Sequence, residues 1–264
     1  MTKYKFSNKL MFALVMQDEE ICAEFIQRLF PGKKVRSLSF PNDIHITPEK
    51  TIVTGVLSRS VRLDVLFEGE NEYYDIEMQV ETDADLAKRI RYYHTSMDTL
   101  FLKKSKPYSD LKPTYVIFIC LHDPFAMGEP IYQFERFDRN LQLQLGDGSS
   151  TIILNTKCSR SKTPEAFEAF YNFVNTGKVD ERNDFVKYLS KRVEEANEDE
   201  EVDRIMTLDE EMKVQWERAI EKGKELGFKH GEEIGFKQGE EIGRAKGEAD
   251  KQREIAKKLR ELGI

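Results

Sequence analysis

The stretch VRLDVLFEGENEYYDIEMQV, residues 61–80, constrains this chain more than any other. Residues 61–67 and 73–80 are rich in β-formers and residues 68–72 are turn-like, so a β-hairpin is expected. With the turn centred on Glu70–Asn71, Asp64 lies opposite Glu77 and Arg62 opposite Gln79. Strand alternation then puts Arg62, Asp64, Asp75, Glu77 and Gln79 on one face, and Leu63, Val65, Phe67, Tyr74, Ile76, Met78 and Val80 on the other. Directly opposed residues have Cβ atoms about 4.5–5.5 Å apart. Two carboxylates that close repel each other, and a divalent cation would relieve the repulsion. Hard cations such as Mg²⁺ take oxygen ligands from one or two carboxylates and keep positions for phosphate oxygens. The alternative, on spacing alone, is a solvated polar face whose charges happen to align.

A chain of 264 residues has room for one sizeable domain with appendages, and 17 Phe within a 39% hydrophobic fraction can build a core. Cys22, Cys120 and Cys158 are scattered and follow neither zinc spacing nor a disulfide framework, so reduced thiols in an intracellular protein are expected. The opening MTKYKFSNKLMFALVM has too short an apolar segment for a signal peptide, and no run approaches a membrane span. The expectation is a soluble, cytoplasmic protein with no membrane partner. The net charge of −7 does not advertise nucleic-acid binding. The charge is uneven, however: residues 84–114 carry seven Lys/Arg against three Asp, while 194–211 carry ten Asp/Glu against one Arg. A basic element beside an acidic hairpin can contact phosphate.

The first helix is expected over about 8–30, capped by Ser7 and ended by Pro31-Gly32. VRSLSF (35–40) and TIVTGVL (51–57) read as strands before the hairpin. A second helix covers 84–104, and TYVIFICL (114–121) reads as a strand buried on both faces. IYQFERF (131–137) reads as an edge strand and STIILN (150–155) as another. From Thr163-Pro164 onward the chain is helical. This order indicates an α/β fold, a mixed sheet flanked by helices, with 114–121 returning parallel to 73–80 through a right-handed crossover.

RLDVLFEG (62–69), YYDIEMQ (73–79) and KRIRYYHTSMD (88–98) occur in order with YSDLKPTYVIFIC (108–120), IYQFERFD (131–138) and STIILN. In these motifs the chain resembles the recombination-promoting nucleases, also described as transposases, of the PD-(D/E)xK superfamily, from about residue 5 to the end. The resemblance implies a restriction-endonuclease-like core over residues 1–160 with a helical C-terminal extension. It implies a Mg²⁺- or Mn²⁺-dependent DNA endonuclease associated with recombination or mobile elements. Asp64 and Glu77 match the metal-binding acids, and Gln79 occupies the position of the motif's lysine. A neutral amide can only hydrogen-bond, so electrostatic work would pass to the metal or to a neighbouring cation. Arg89 and Tyr93 match the family's helix motif and are candidate phosphate contacts on a stripe with Tyr92 and Ser96. Alternatively, the tyrosines pack in the core and Arg89 pairs with a carboxylate. Asp75 and a core-helix acid, Glu24 or Glu20, are accessory candidates; for each a solvated role is the alternative. No base-reading motif is present, so weak sequence preference is expected. Gln79 and the acidic net charge also suit a catalytically inactive nucleic-acid-binding or regulatory protein on the same fold, and RNA is a further candidate substrate.

Residues 161–218 are expected to form a helical extension containing the acidic segment. In the tail, 219–264, Gly223, Gly227, Gly231, Gly235, Gly239, Gly243 and Gly247 recur every fourth residue, and GFKHGEEI (227–234) is followed by GFKQGEEI (235–242). Glycine inside a helix costs roughly 1 kcal/mol relative to alanine, so an isolated helix here is weak. A stripe of small residues lets two backbones approach closely. The readings are a self-association helix giving a homodimer or higher homo-oligomer, or a frayed solvated tail.

Overall fold

The computed structural model describes residues 3–32, 50–52 and 61–261. The strand expected at 35–40, residues 53–57 of the next, His45 and the Arg62 side chain fall outside the described residues. The chain forms two compact units, one running to Asp203 and the other from Arg204.

Two helices, α1 (Lys9–Val15) and α2 (Glu19–Leu29), replace the single expected helix. Asp18 breaks it, because its carboxylate accepts from the N–H groups of Glu20 and Ile21 and so starts a new helix. The cap of α1 is Asn8, which accepts from Leu10 and Met11, rather than Ser7.

Strands β1 (Lys50–Ile52) and β2 (Val61–Leu63) pair antiparallel as a small ribbon. The main sheet contains β3 (Val65–Glu68), β4 (Tyr73–Gln79), β5 (Thr114–Cys120), β6 (Ile131–Phe134) and β7 (Ser149–Asn155), in the order β3-β4-β5-β7-β6. The β3–β4 hairpin is antiparallel in the expected register, Val65↔Ile76 and Leu66↔Asp75. Strands β4, β5 and β7 are parallel, and β6 closes the edge antiparallel to β7. Helix α3 (Leu86–Phe101) is the crossover between β4 and β5. Gly148 leads into β7 with φ +76°, and its carbonyl accepts from Thr114 N–H at 2.9 Å. A Cβ there would meet Pro113 Cα at 3.3 Å, so the turn needs glycine on both counts.

Helix α3 covers one face of the sheet through Leu86, Ile90, Tyr93 and Met97, which pack with Leu66, Val116, Phe118, Cys120 and Ile153. Leu63 belongs to this cluster, although simple alternation put it on the opposite face. The chain bends at Asp64, between β2 and β3, and the bend shifts the alternation. On the opposite face Phe67, Tyr74 and Tyr115 stack at about 5 Å, and Phe30 from the end of α2 packs on Tyr115 at 5.1 Å.

Helices α4 (Glu165–Thr176) and α5 (Asp184–Glu198), in the stretch expected as a helical extension, belong to the first unit. Phe25 of α2 meets Phe167 at 6.1 Å and Phe170 at 5.5 Å, and Phe6 meets Phe173 at 5.9 Å. Such ring pairs add about 0.5–1.5 kcal/mol each beyond area burial, which explains why these helices do not stand apart. Helix α6 (Glu200–Glu261) carries the tail. Among the described residues, no helix is long and apolar enough to cross a membrane.

Candidate active site

The hairpin delivers a buried acidic group where a solvated face was the competing expectation. Asp64, Asp75, Glu77 and Gln79 are only 5%, 0%, 1% and 6% exposed. The reason lies in the register. Asp75, Glu77 and Gln79 pair with Val116, Phe118 and Cys120 of β5, on the side that α3 covers.

Regular β3–β4 pairing stops at Val65, and side chains continue it. Asp64 N–H donates to Glu77 Oε1 at 2.8 Å, and Asp64 Oδ2 accepts from Met78 N–H at 3.0 Å. The two acids are thus locked to each other's strands. Asp75 differs from both: no N–H reaches its carboxylate oxygens, and the Glu77 carboxyl is the group placed to share a proton with it. Burial, then the charge of Asp64, pushes the Asp75 carboxyl well above the usual carboxylate range. Burial, then Asp75 and Asp64, does the same to Glu77. Three acids in one dry site store unfavourable charge, and a cation or a proton must offset it.

Arg89 of α3 is the cation at hand. Its NH1 donates to Gln79 Oε1 at 3.1 Å and to Asp83 Oδ2 at 2.7 Å. Its NH2 donates to Tyr93 Oη at 3.2 Å and lies 3.8 Å from Glu77 Oε2. The guanidinium also stands over the Phe118 ring at 5.4 Å. Gln79 is committed at both ends, because its Nε2 donates to Glu81 O at 2.6 Å.

The structure therefore brings together Asp64, Asp75, Glu77, Gln79, Arg89 and Tyr93. Tyr93 is mainly a core residue, 6.1 Å from Phe118, and it meets Arg89 through its hydroxyl and through its ring, whose centroid is 5.6 Å from the guanidinium. Ser96 is buried, with its hydroxyl on Tyr92 O, and Tyr92 is exposed, so the expected four-residue stripe does not form. Glu24 lies apart: its carboxylate pairs with Arg28 at 2.7 Å and lines a separate cavity with Arg182 and Phe185. Glu20 is exposed on the rim of that cavity.

Two residues of the site had not been singled out. Asp83 holds Arg89, and that hydrogen bond keeps its carboxyl below the usual range. Lys9, in the first turn of α1, is near enough to favour ionisation of Glu77 and Asp83. An Asp six residues ahead of an Arg at a helix start is a faint signal. Lys9 has none, because α1 is far away in sequence.

Among the described residues, no three His, Cys, Asp or Glu side chains already close around a metal position. The donor set nonetheless suits a hard cation. It consists of carboxylate oxygens alone, two of them on Asp75 where no N–H reaches them, and Mg²⁺ commonly uses one or two carboxylates with water and phosphate completing its shell.

No curated protein and no solved structure gives a significant match. The family described as PD-(D/E)XK nuclease family transposase matches residues 2–223, which takes in the whole sheet, the acidic hairpin and α3, and so the chain belongs to the PD-(D/E)XK nuclease family transposases.

Proposed function

We propose that this protein is a metal-dependent DNA endonuclease that hydrolyses phosphodiester bonds during recombination or mobile-element movement in the cytoplasm. The observation that carries this reading is the buried Asp64–Asp75–Glu77 group, with two oxygens that no N–H reaches, set beside one anchored guanidinium.

Asp64 and Glu77 would hold a Mg²⁺ or Mn²⁺ ion, with Asp75 as a further oxygen donor. Such an ion lowers the pKa of water and offsets phosphate charge. The protein's own part is positioning. The Asp64–Met78 and Glu77–Asp64 hydrogen bonds fix the carboxylates before substrate arrives. Arg89 offers a delocalised positive charge to a phosphate oxygen and takes on the electrostatic role of the motif's lysine. Gln79 holds Arg89 in place, and each end of its amide is engaged once, by Arg89 and by Glu81 O. That same commitment of Gln79 favours the second reading, an inactive nucleic-acid-binding or regulatory protein.

Cleavage of supercoiled plasmid with and without Mg²⁺ or Mn²⁺, using wild type, Asp64→Ala and Glu77→Ala, separates the two. Metal-dependent nicking abolished in both variants supports the nuclease. Its absence from folded, metal-supplemented wild type supports the second reading, and parallel competition with RNA decides the substrate.

For the tail, self-association through α6 is proposed. Leu226, Phe228, Ile234, Phe236 and Ile242 are all exposed there. Their octad spacing advances the apolar stripe by about 80° per repeat on an α-helix, so a partner helix has to wind around it.

A further inference from the structure

A groove of about 500 Å³ runs along α3 beside the sheet, between Leu86, Ile90 and His94 on one side and Phe125, Phe134 and Ile153 on the other. We propose that it holds unpaired nucleobases of the strand being cut; this inference rests on the nuclease reading above. Its volume and mainly apolar lining with a few polar groups are those of a small-molecule or base-sized site.

The groove begins at the site already described. Asp83 lines its near end and also holds Arg89, whose guanidinium lies 3.8 Å from Glu77. Asp83 thus links the guanidinium that a phosphate would meet to the groove's lining. Arg91 and Arg136 line the groove as well. The lining also holds Asp83 and Glu135, so its four charges balance, and Arg136 is paired with Asp147 at 2.5 Å; the apolar and aromatic lining is what fits a base.

The aromatic rings are presented rather than buried. Phe125 and Phe134 remain 40% and 46% exposed, 5.3 Å apart and tilted. The Phe125 loop is held in place by the Asp123 carboxylate, which accepts from Phe125 N–H at 3.1 Å, Gly128 N–H at 2.6 Å and Tyr132 Oη at 2.7 Å. A pinned loop that exposes an aromatic face is a stacking platform, and stacking accepts any base. Duplex bases are covered by their neighbours, so the groove suits an unpaired strand or an extruded nucleotide. The floor adds no base-reading nitrogen. His94 Nδ1 is engaged by Thr114 Oγ1 at 2.8 Å and Nε2 by Thr151 Oγ1 at 3.0 Å. Little base preference follows.

The test is binding by the full-length, metal-free protein, measured by fluorescence anisotropy with a labelled thymidine oligonucleotide and an abasic strand of equal length. Both strands carry the same phosphates. Wild type is expected to bind the thymidine strand roughly ten-fold tighter, and Phe134→Ala and Phe125→Ala, both at exposed positions, are expected to erase most of that difference. Equal binding of the two strands by wild type, or a difference that survives both substitutions, overturns the proposal and leaves the groove to another occupant, such as a second copy of the chain. Plasmid nicking by wild type is followed in parallel. Nicking without strand discrimination sinks the groove alone; discrimination without nicking sustains the groove and sinks the nuclease reading.

Discussion

Asp64 and Glu77 are bound through each other's strands: Glu77 Oε1 accepts the Asp64 N–H at 2.8 Å, while Asp64 Oδ2 accepts the N–H of Met78, next to Glu77, at 3.0 Å. The side chains take the place of ladder hydrogen bonds at the bend between β2 and β3, where regular pairing with β4 stops. The residues proposed to bind metal thus also have a structural part. Asp64→Ala leaves a buried Met78 N–H without an acceptor and should cost about 1–3 kcal/mol. Asp64→Asn keeps a carbonyl acceptor and should fold nearly as well as wild type while losing metal-dependent nicking. Thermal melts of the two variants beside the nicking assay make the separation, and equal destabilisation by both would contradict it.

Asp75 has two buried oxygens that no N–H reaches and a carboxyl pushed upward by burial and by Asp64. Asp75→Asn removes a charge and supplies an N–H that Glu77 can accept. The metal-free variant should therefore melt higher than wild type at neutral pH, by about 1–3 kcal/mol of stability. Its gain in Tm on adding Mg²⁺ should be smaller. Calorimetry with and without the metal measures both quantities, and a variant less stable than wild type in the absence of metal would show that the acid is satisfied in some other way.

Placing the motif's lysine at position 79 should not raise activity. Gln79 Oε1 accepts from Arg89 at 3.1 Å, so Gln79→Lys sets a second positive charge against the guanidinium. A loss of about 1–3 kcal/mol and slower nicking are expected. Pairing it with Arg89→Met should recover part of the stability, and a double-mutant cycle reads that coupling directly. Additive effects would mean that Arg89 and residue 79 act independently.

His94 gives a pH dependence with a defined sign. Burial, aided by the charge of Arg136, pushes its imidazole down from 6.5 to about 4. Between those values the unfolded chain binds more protons than the folded one. The contribution is complete above pH 6.5 and is lost as pH falls through about 4. The full shift corresponds to roughly 3 kcal/mol. Asp75 and Glu77, shifted upward, act in the opposite sense. Denaturant curves of wild type and His94→Gln across this range isolate the imidazole, and the difference between them should narrow as pH falls.

The glycines of α6 allow a test that gives opposite signs for the two tail readings. Nothing lies within 4 Å of where a Cβ would sit on Gly231 or Gly235. In a solitary helix, alanine at each should add about 1 kcal/mol of helix stability. If copies pack on the glycine stripe, the same methyl groups hold the backbones apart. Sedimentation velocity and far-UV circular dichroism of Gly231→Ala/Gly235→Ala should show lost association together with retained helicity. A wild type that is monomeric throughout would leave the tail solvated.

The sequence by itself determined the hairpin, its register, the parallel return of β5, the edge position of β6 and the family. These follow from local alternation, turn residues and ordered motifs, which need no knowledge of distant partners. The single helix expected over 8–30 failed because the cap at Asp18 outweighed a continuous apolar stripe. Only the tertiary structure decided that the acidic face is dry. The same alternation serves a solvated face or a buried one, and the choice came from α3 and β5 closing over Asp75 and Glu77. It also decided that Gln79 is spent on Arg89 and Glu81, that Lys9 and Asp83 join the site, and that Glu24 belongs to Arg28. Those pairings join elements far apart along the chain, and packing geometry, which no spacing encodes, selects among the partners that charge alone would allow.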